Sequence, residues 1–120
     1  MIDFSYDQLP SGITVVELRG QLNEHSCDYF GECMESLVDA GAQAIVIDCR
    51  RIRFMSSLEL GALMKVRKRV KAAGGRVCLA HVNALVAELL AITGLRSFFS
   101  IQPSTEAAVR VIERTMMATA

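Results

Sequence analysis

The chain predicts an α/β fold: a mixed central sheet of about five strands with about four helices around it. Three features carry that expectation. The apolar period switches repeatedly between strand-like and helix-like, in the order ββαβαβαβα. Two short runs, Ile45-Val-Ile-Asp-Cys and Val77-Cys-Leu-Ala, are rich in apolar and β-branched residues, as in strands covered on both faces. Glycines and prolines fall between the periodic segments. A hairpin followed by βαβ units gives one antiparallel pair and then parallel strands joined by right-handed crossovers.

Residues 3–9 and 13–19 flank Pro10-Ser11-Gly12 and are read as the opening hairpin. After Gly20-Gln21-Leu22, apolar residues recur at Cys27, Phe30, Cys33, Met34, Leu37 and Val38, with Glu32, Glu35 and Asp39 on other faces, so a helix is expected to end near Gly41. Residues 44–49 form the next strand. A second helix should run from Ser57 to Ala73 and stop at Gly74-Gly75, where positive φ carries no Cβ penalty. Its stripe is Leu60, Leu63, Met64 and Val70. Arg67 falls inside that stripe at about 100° per residue, so it must snorkel or meet a partner.

Residues 76–82 give another strand, and Leu85, Val86, Leu89, Leu90 and Ile92 a third helix closed by Gly94. Residues 97–101 read as a short last strand. Ser104 is placed to cap the final helix, with Glu106 favourably in its first turn, and that helix should reach about Met117. Met116 and Met117 are core or contact residues.

The 120 residues suit one domain, 1–120, with no linker or repeat. The 52% apolar content points to a packed core, and no apolar run approaches the ~20 residues of a bilayer span. A soluble protein, without membrane insertion, is expected. Met1-Ile-Asp-Phe-Ser lacks the basic and apolar regions of a secretory signal, which makes the cytoplasm the expected location. The four cysteines, at 27, 33, 49 and 78, form no C-x-x-C pair, and a structural disulfide is not expected.

Net charge is zero but unevenly spread. Residues 1–49 carry nine acids against Arg19, whereas residues 50–76 carry nine bases against Glu59. Such a middle segment is either a solvated helix face or a surface that steers an acidic partner. The bases lack interleaved aromatics, so nucleic acid is not the expected partner. His25 and His81 are isolated and His25 lacks ligand spacing with Cys27 and Cys33, so no metal site is expected. No glycine-rich phosphate loop opens a helix, G-x-S-x-G is absent, and neither cofactor nor catalysis is expected.

The most informative stretch is 45–61, a buried strand, a short loop and a helix opened by two serines. Binding sites of open α/β sheets lie beyond the carboxyl ends of strands, where residues 50–57 fall. A phosphate on a serine there would meet the positive end of the helix dipole, and Arg50, Arg51 and Arg53 could add charge-assisted contacts. Ser56-Ser57-Leu58-Glu59 also fits the capping box, with Ser56 accepting from the amide of Glu59 and Glu59 reaching back. That makes Ser56 and Glu59 a helix cap beside Ser57.

Phe54-Met55-Ser56-Ser57-Leu58-Glu59-Leu60-Gly61 resembles the signature F-M-D-S-S-G-L-G of the STAS domain in bacterial anti-sigma-factor antagonists. Gly20-Gln21-Leu22, Gly74-Gly75, Gly94-Leu95, Phe98-Phe99 and Glu106-Ala107 follow in family order, so the resemblance covers essentially the whole chain. Ser56 stands for the usual Asp, Leu58 for the second hydroxyl and Glu59 for the usual Gly. The resemblance implies a STAS-type sheet and a partner switch. In it Ser57 accepts phosphate from an anti-sigma factor with serine kinase activity, a serine phosphatase reverses this, and the unphosphorylated form binds the anti-sigma factor. The partner-binding residues it implies are Arg53, Phe54, Met55, Leu58, Ala62 and Lys65. The competing expectation, motivated by Glu59, is a non-switching STAS subunit of a larger assembly such as a lipid-transport complex or signalling scaffold.

Overall fold

The computed structural model describes the backbone of residues 3–19 and 24–118 and the side chains of residues 5–19 and 28–116. The Gly20-Gln21-Leu22 segment, and the side chains of His25, Cys27 and Met117, lie outside the described residues. The elements are β1 (Asp3–Gln8), β2 (Ile13–Arg19), α1 (Glu24–Asp39), β3 (Ala44–Arg51), α2 (Ser57–Ala72), β4 (Arg76–Ala80), α3 (Ala84–Ile92), β5 (Ser100–Gln102) and α4 (Thr105–Ala118). They form a mixed five-stranded sheet with four α-helices, as the apolar periods predict.

The strand order is β1-β2-β3-β4-β5, with β1 antiparallel to β2 and the remaining pairs parallel. Because each crossover moves one strand in the same direction and turns right-handed, α1, α2 and α3 must share one face of the sheet. Only α4, after the last strand, is left to cover the other.

Alternation along β3 divides the core accordingly. Ile45, Ile47 and Cys49 join Phe30 and Met34 of α1, Leu63 and Val70 of α2, and Val86 and Leu90 of α3. Ala44 and Val46 join Ile13, Cys78 and Ala80 against Ala108 and Ile112 of α4, with Met116 packed at the edge. Phe30 is fully buried, a contribution of about 1.5–3 kcal/mol. The helix face Phe30-Met34-Leu37-Val38 is buried as its spacing predicts, whereas Leu85 and Ile92 of α3 are exposed.

The end of α2 closes in a Schellman arrangement. The Gly74 amide donates to Lys71 O and the Gly75 amide to Val70 O. Gly74 takes φ +83°, and Gly75 is required for a different reason: a Cβ there would meet Gln43 O at 2.6 Å. Ser104 caps α4 as expected, its hydroxyl accepting from the Ala107 amide at 3.0 Å. The Glu106 carboxyl is held below its ordinary value, first by its own backbone amide at the helix start.

Two expectations are corrected. β4 ends at Ala80 because His81 takes φ +55° and leaves the sheet. Residues 97–101 are not one strand. Gly94 turns left-handed and a 3-10 turn, Leu95–Phe98, precedes the three-residue β5. That turn buries Phe99 and sends Phe98 outward.

Arg67 meets its partner there. Its Nε donates to Phe98 O, and its guanidinium carbon lies 4.9 Å from the centre of the Phe98 ring. An Arg67→Ala variant is expected to lose about 1 kcal/mol of stability, one exposed cation–π contact and one hydrogen bond, measured as a lower urea midpoint with unchanged slope.

Candidate functional site

The loop between β3 and α2 is shaped by two inward anchors. Ile52 and Met55 are both 3% exposed, and the Ile52 amide returns to Cys49 O. With those side chains in the core, Arg53 and Phe54 are pushed outward. A third hold comes from Asn83, at the start of α3. Its Oδ1 accepts from the Val86 amide at 2.8 Å, while Nδ2 donates to Ile52 O at 3.0 Å and Arg53 O at 3.2 Å. One side chain thus caps α3 and fastens the loop.

Ser56 occupies the N-cap of α2 with extended backbone, yet the expected capping-box bond is not formed. Its hydroxyl instead donates to Glu59 Oε1 at 3.4 Å. The reason is the placement of Glu59, only 4% exposed in the first helical turn, where its carboxylate reaches the hydroxyl directly. Ser57, the first residue of α2, is exposed. Among the described residues its hydroxyl has no hydrogen-bond partner.

Ser57 opens onto a groove of about 590 Å³ between α1 and α2. Leu58, Ala62 and Lys65 line it with Ser57, and Asp28, Glu32 and Glu35 form the opposite wall. Gly31 and Gly61 face each other's helices without side chains and keep the groove open. The wall of α1 makes the surroundings of Ser57 acidic on that side, which the sequence reading did not anticipate.

Of the six proposed contact residues, Arg53, Phe54, Leu58 and Lys65 are exposed, with Phe54 at 43% and Leu58 at 47%. Met55 is corrected to a core anchor of the loop, and Ala62, 9% exposed, meets the surface only where it lines the groove.

Two of the three arginines, Arg50 and Arg51 at the end of β3, differ from expectation. Arg50 binds Asp48 Oδ2 at 3.6 Å and donates to His81 Nε2 at 3.1 Å, and Arg51 binds Glu17 Oε1 at 3.2 Å. Among the described residues Arg53 alone of the three has no such partner. The basic middle segment is likewise matched by the acidic first segment, since Arg69 of α2 binds Asp39 of α1 at 2.9 Å. The uneven charge along the chain is therefore partly cancelled by folding.

His81 Nε2 lies 3.1 Å from the Arg50 guanidinium and 3.3 Å from the Thr105 amide, so this nitrogen is already engaged. Cys33, Cys49 and Cys78 are free thiols, and burial, with Asp48 adding to it, pushes Cys49 up to about 12. Among the described residues no group of three or more His, Cys, Asp or Glu could hold a metal ion, and no helix is long and apolar enough to cross a membrane.

Strand order never reverses in the parallel part of the sheet, so no crevice opens at a switch point. The loop stands instead on an open surface beside the groove between α1 and α2. The STAS domain model matches residues 8–108, and the chain belongs to the STAS domain family. It is 30% identical to the anti-sigma F factor antagonist of Paenibacillus polymyxa over 77% of this chain and 77% of that protein. It is 27% identical to the anti-sigma-B factor antagonist of Bacillus subtilis, over 79% and 86% respectively. The unphosphorylated form of the anti-sigma factor antagonist SpoIIAA superposes with a TM-score of 0.77 at 22% identity, over 92% of this chain and 97% of that one. Its phosphorylated form gives a TM-score of 0.71 over 91% and 99%, also at 22% identity.

Proposed function

We propose that this chain is an anti-sigma-factor antagonist of the partner-switching type. It binds an anti-sigma factor with serine kinase activity through Arg53, Phe54, Leu58 and Lys65, and Ser57 is the phosphoacceptor. The observation that carries the reading is the exposed, unengaged Ser57 hydroxyl at the first position of a helix whose loop is fixed from three sides. A flexible loop would lose more entropy on docking than this one does. The relatives named as antagonists, one of them solved in a phosphorylated form, supply the partner class. A serine phosphatase completes the cycle, and a sigma factor is released when the unphosphorylated chain engages its inhibitor. The cytoplasm is the compartment this requires.

Glu59 and the carboxylates of α1 favour a second reading, a non-switching STAS subunit of a lipid-transport complex or signalling scaffold. Buried negative charge beside Ser57 opposes a phosphate there. Affinity capture with the tagged full chain, followed by intact-mass measurement of the captured complex with ATP, separates the two. The switch expects a kinase-type ATPase and one phosphate added to the chain. A transporter ATPase, with no mass change, would instead establish the second reading.

A further inference from the structure

We propose that a cavity at the opposite end of the sheet from Ser57 binds a small organic acid, an oxyanion carried on an apolar ring. The cavity holds about 520 Å³, between the C-terminal half of α2, the start of β4 and α4. Its existence follows from the strand lengths. β5 begins opposite Cys78, so Arg76 and Val77 at the start of β4 pair with β3 on one side and have no strand on the other. Gly74 and Gly75 at the end of α2 add no side chains to close the gap.

Its charge is one-sided. Arg67, Lys71 and Arg76 line it, and among the described residues no carboxylate does. Arg50, Arg51 and Arg69 each hold a carboxylate, but among the described residues neither Lys71 nor Arg76 is in an ion pair. Three cations around one concavity repel each other, and an anion relieves that repulsion. Arg67 is already fixed on Phe98 through its Nε, so it loses little freedom when a ligand arrives.

The rest of the lining selects the body of the ligand. Phe98, Val111 and Ile112 offer apolar surface, while the Ser100 and Thr115 hydroxyls at its border are already bonded to Gln102 and Val111 O. A bare inorganic ion would leave that apolar wall wet, and a neutral ring would leave the cations unmatched. The volume is in the range of about 300–1,000 Å³ typical of small-molecule sites. Because β3 and β4 are parallel, this site at the start of β4 and Ser57 beyond the end of β3 lie at opposite ends of the sheet.

Phenyl phosphate and phenylacetate are suitable probes, titrated into the isotope-labelled full chain and followed by amide NMR. Both should give saturable shifts at residues 75–78, 98 and 115, the tighter one identifying phosphate or carboxylate as the preferred acid. Inorganic phosphate and benzyl alcohol should each bind at least about tenfold more weakly. The Lys71→Ala, Arg76→Ala double variant changes two exposed side chains and should lose at least about tenfold in affinity, while Ser57→Ala binds as the parent does. Absence of saturable shifts at these residues, equal affinity for inorganic phosphate, or unchanged affinity in the double variant would overturn the proposal.

Discussion

Replacing Ser57 with alanine is expected to abolish phosphate incorporation by the partner kinase while leaving partner binding intact. Replacing it with aspartate should weaken partner binding by at least tenfold, about 1.4 kcal/mol. The alanine result follows from chemistry, because the hydroxyl is the only nucleophile at that position. The aspartate result follows from the groove. Asp28, Glu32 and Glu35 already face Ser57, with Lys65 the only cation in the lining among the described residues. A further charge in that space is repelled by its own protein and must also lose water when a partner covers it, a combined cost of several kcal/mol for a phosphate of about two charges. Aspartate brings one charge and a shorter reach, so tenfold is the lower bound. Calorimetry of both variants against the captured partner, at two salt concentrations, reads the effect and its electrostatic share. Phosphate still added to Ser57→Ala, or full affinity in Ser57→Asp, would sink the assignment and leave the non-switching subunit as the better account.

What was legible in the sequence depended on whether the signal was periodic. The face Phe30-Met34-Leu37-Val38 and the alternation along β3 were readable because a helix or strand imposes its period on whatever it packs against. The loop has no period, so the inward turn of Met55 between the exposed Phe54 and the half-buried Ser56 could not be read from its neighbours. Residues 97–101 were misread for a related reason. The Phe98-Phe99 pair carries a strand-like composition, but one ring serves the surface contact with Arg67 and the other the core. Arg50 and Arg51 read as available for charge-assisted contacts, yet Arg50 meets Asp48 two residues before it and Arg51 meets Glu17 across the sheet. Glu17 lies 34 residues earlier than Arg51, yet β2 and β3 are neighbours. The capping-box pattern placed Ser56 and Glu59 correctly beside each other, but not the direction in which the serine hydroxyl points.

Asn83 is the residue on which the loop most depends, and Asn83→Ala is expected to cost about 2–3 kcal/mol of stability. Loss of the cap on α3 accounts for about 1 kcal/mol, and loss of two hydrogen bonds to the loop carbonyls for about 1 kcal/mol each, less what water restores. Asn83→Ser separates the two roles. Serine can cap the helix but is too short to reach both Ile52 O and Arg53 O, so roughly half of the loss should be recovered while the loop stays loose. Urea unfolding measures the first part, and hydrogen exchange at the amides of residues 53–57 the second. If Asn83 acts by holding the loop, Asn83→Ser should weaken partner binding more than its stability loss explains, because the ordering of residues 53–57 must then be supplied at docking. Equal exchange rates in the parent and Asn83→Ser would reduce Asn83 to a helix cap and leave Ile52 and Met55 as the loop's anchors. A preformed loop matters more here than in an enzyme cleft. On an open surface, with no crevice walls to orient an incoming chain, geometry at Ser57 has to be fixed by the protein itself before contact is made.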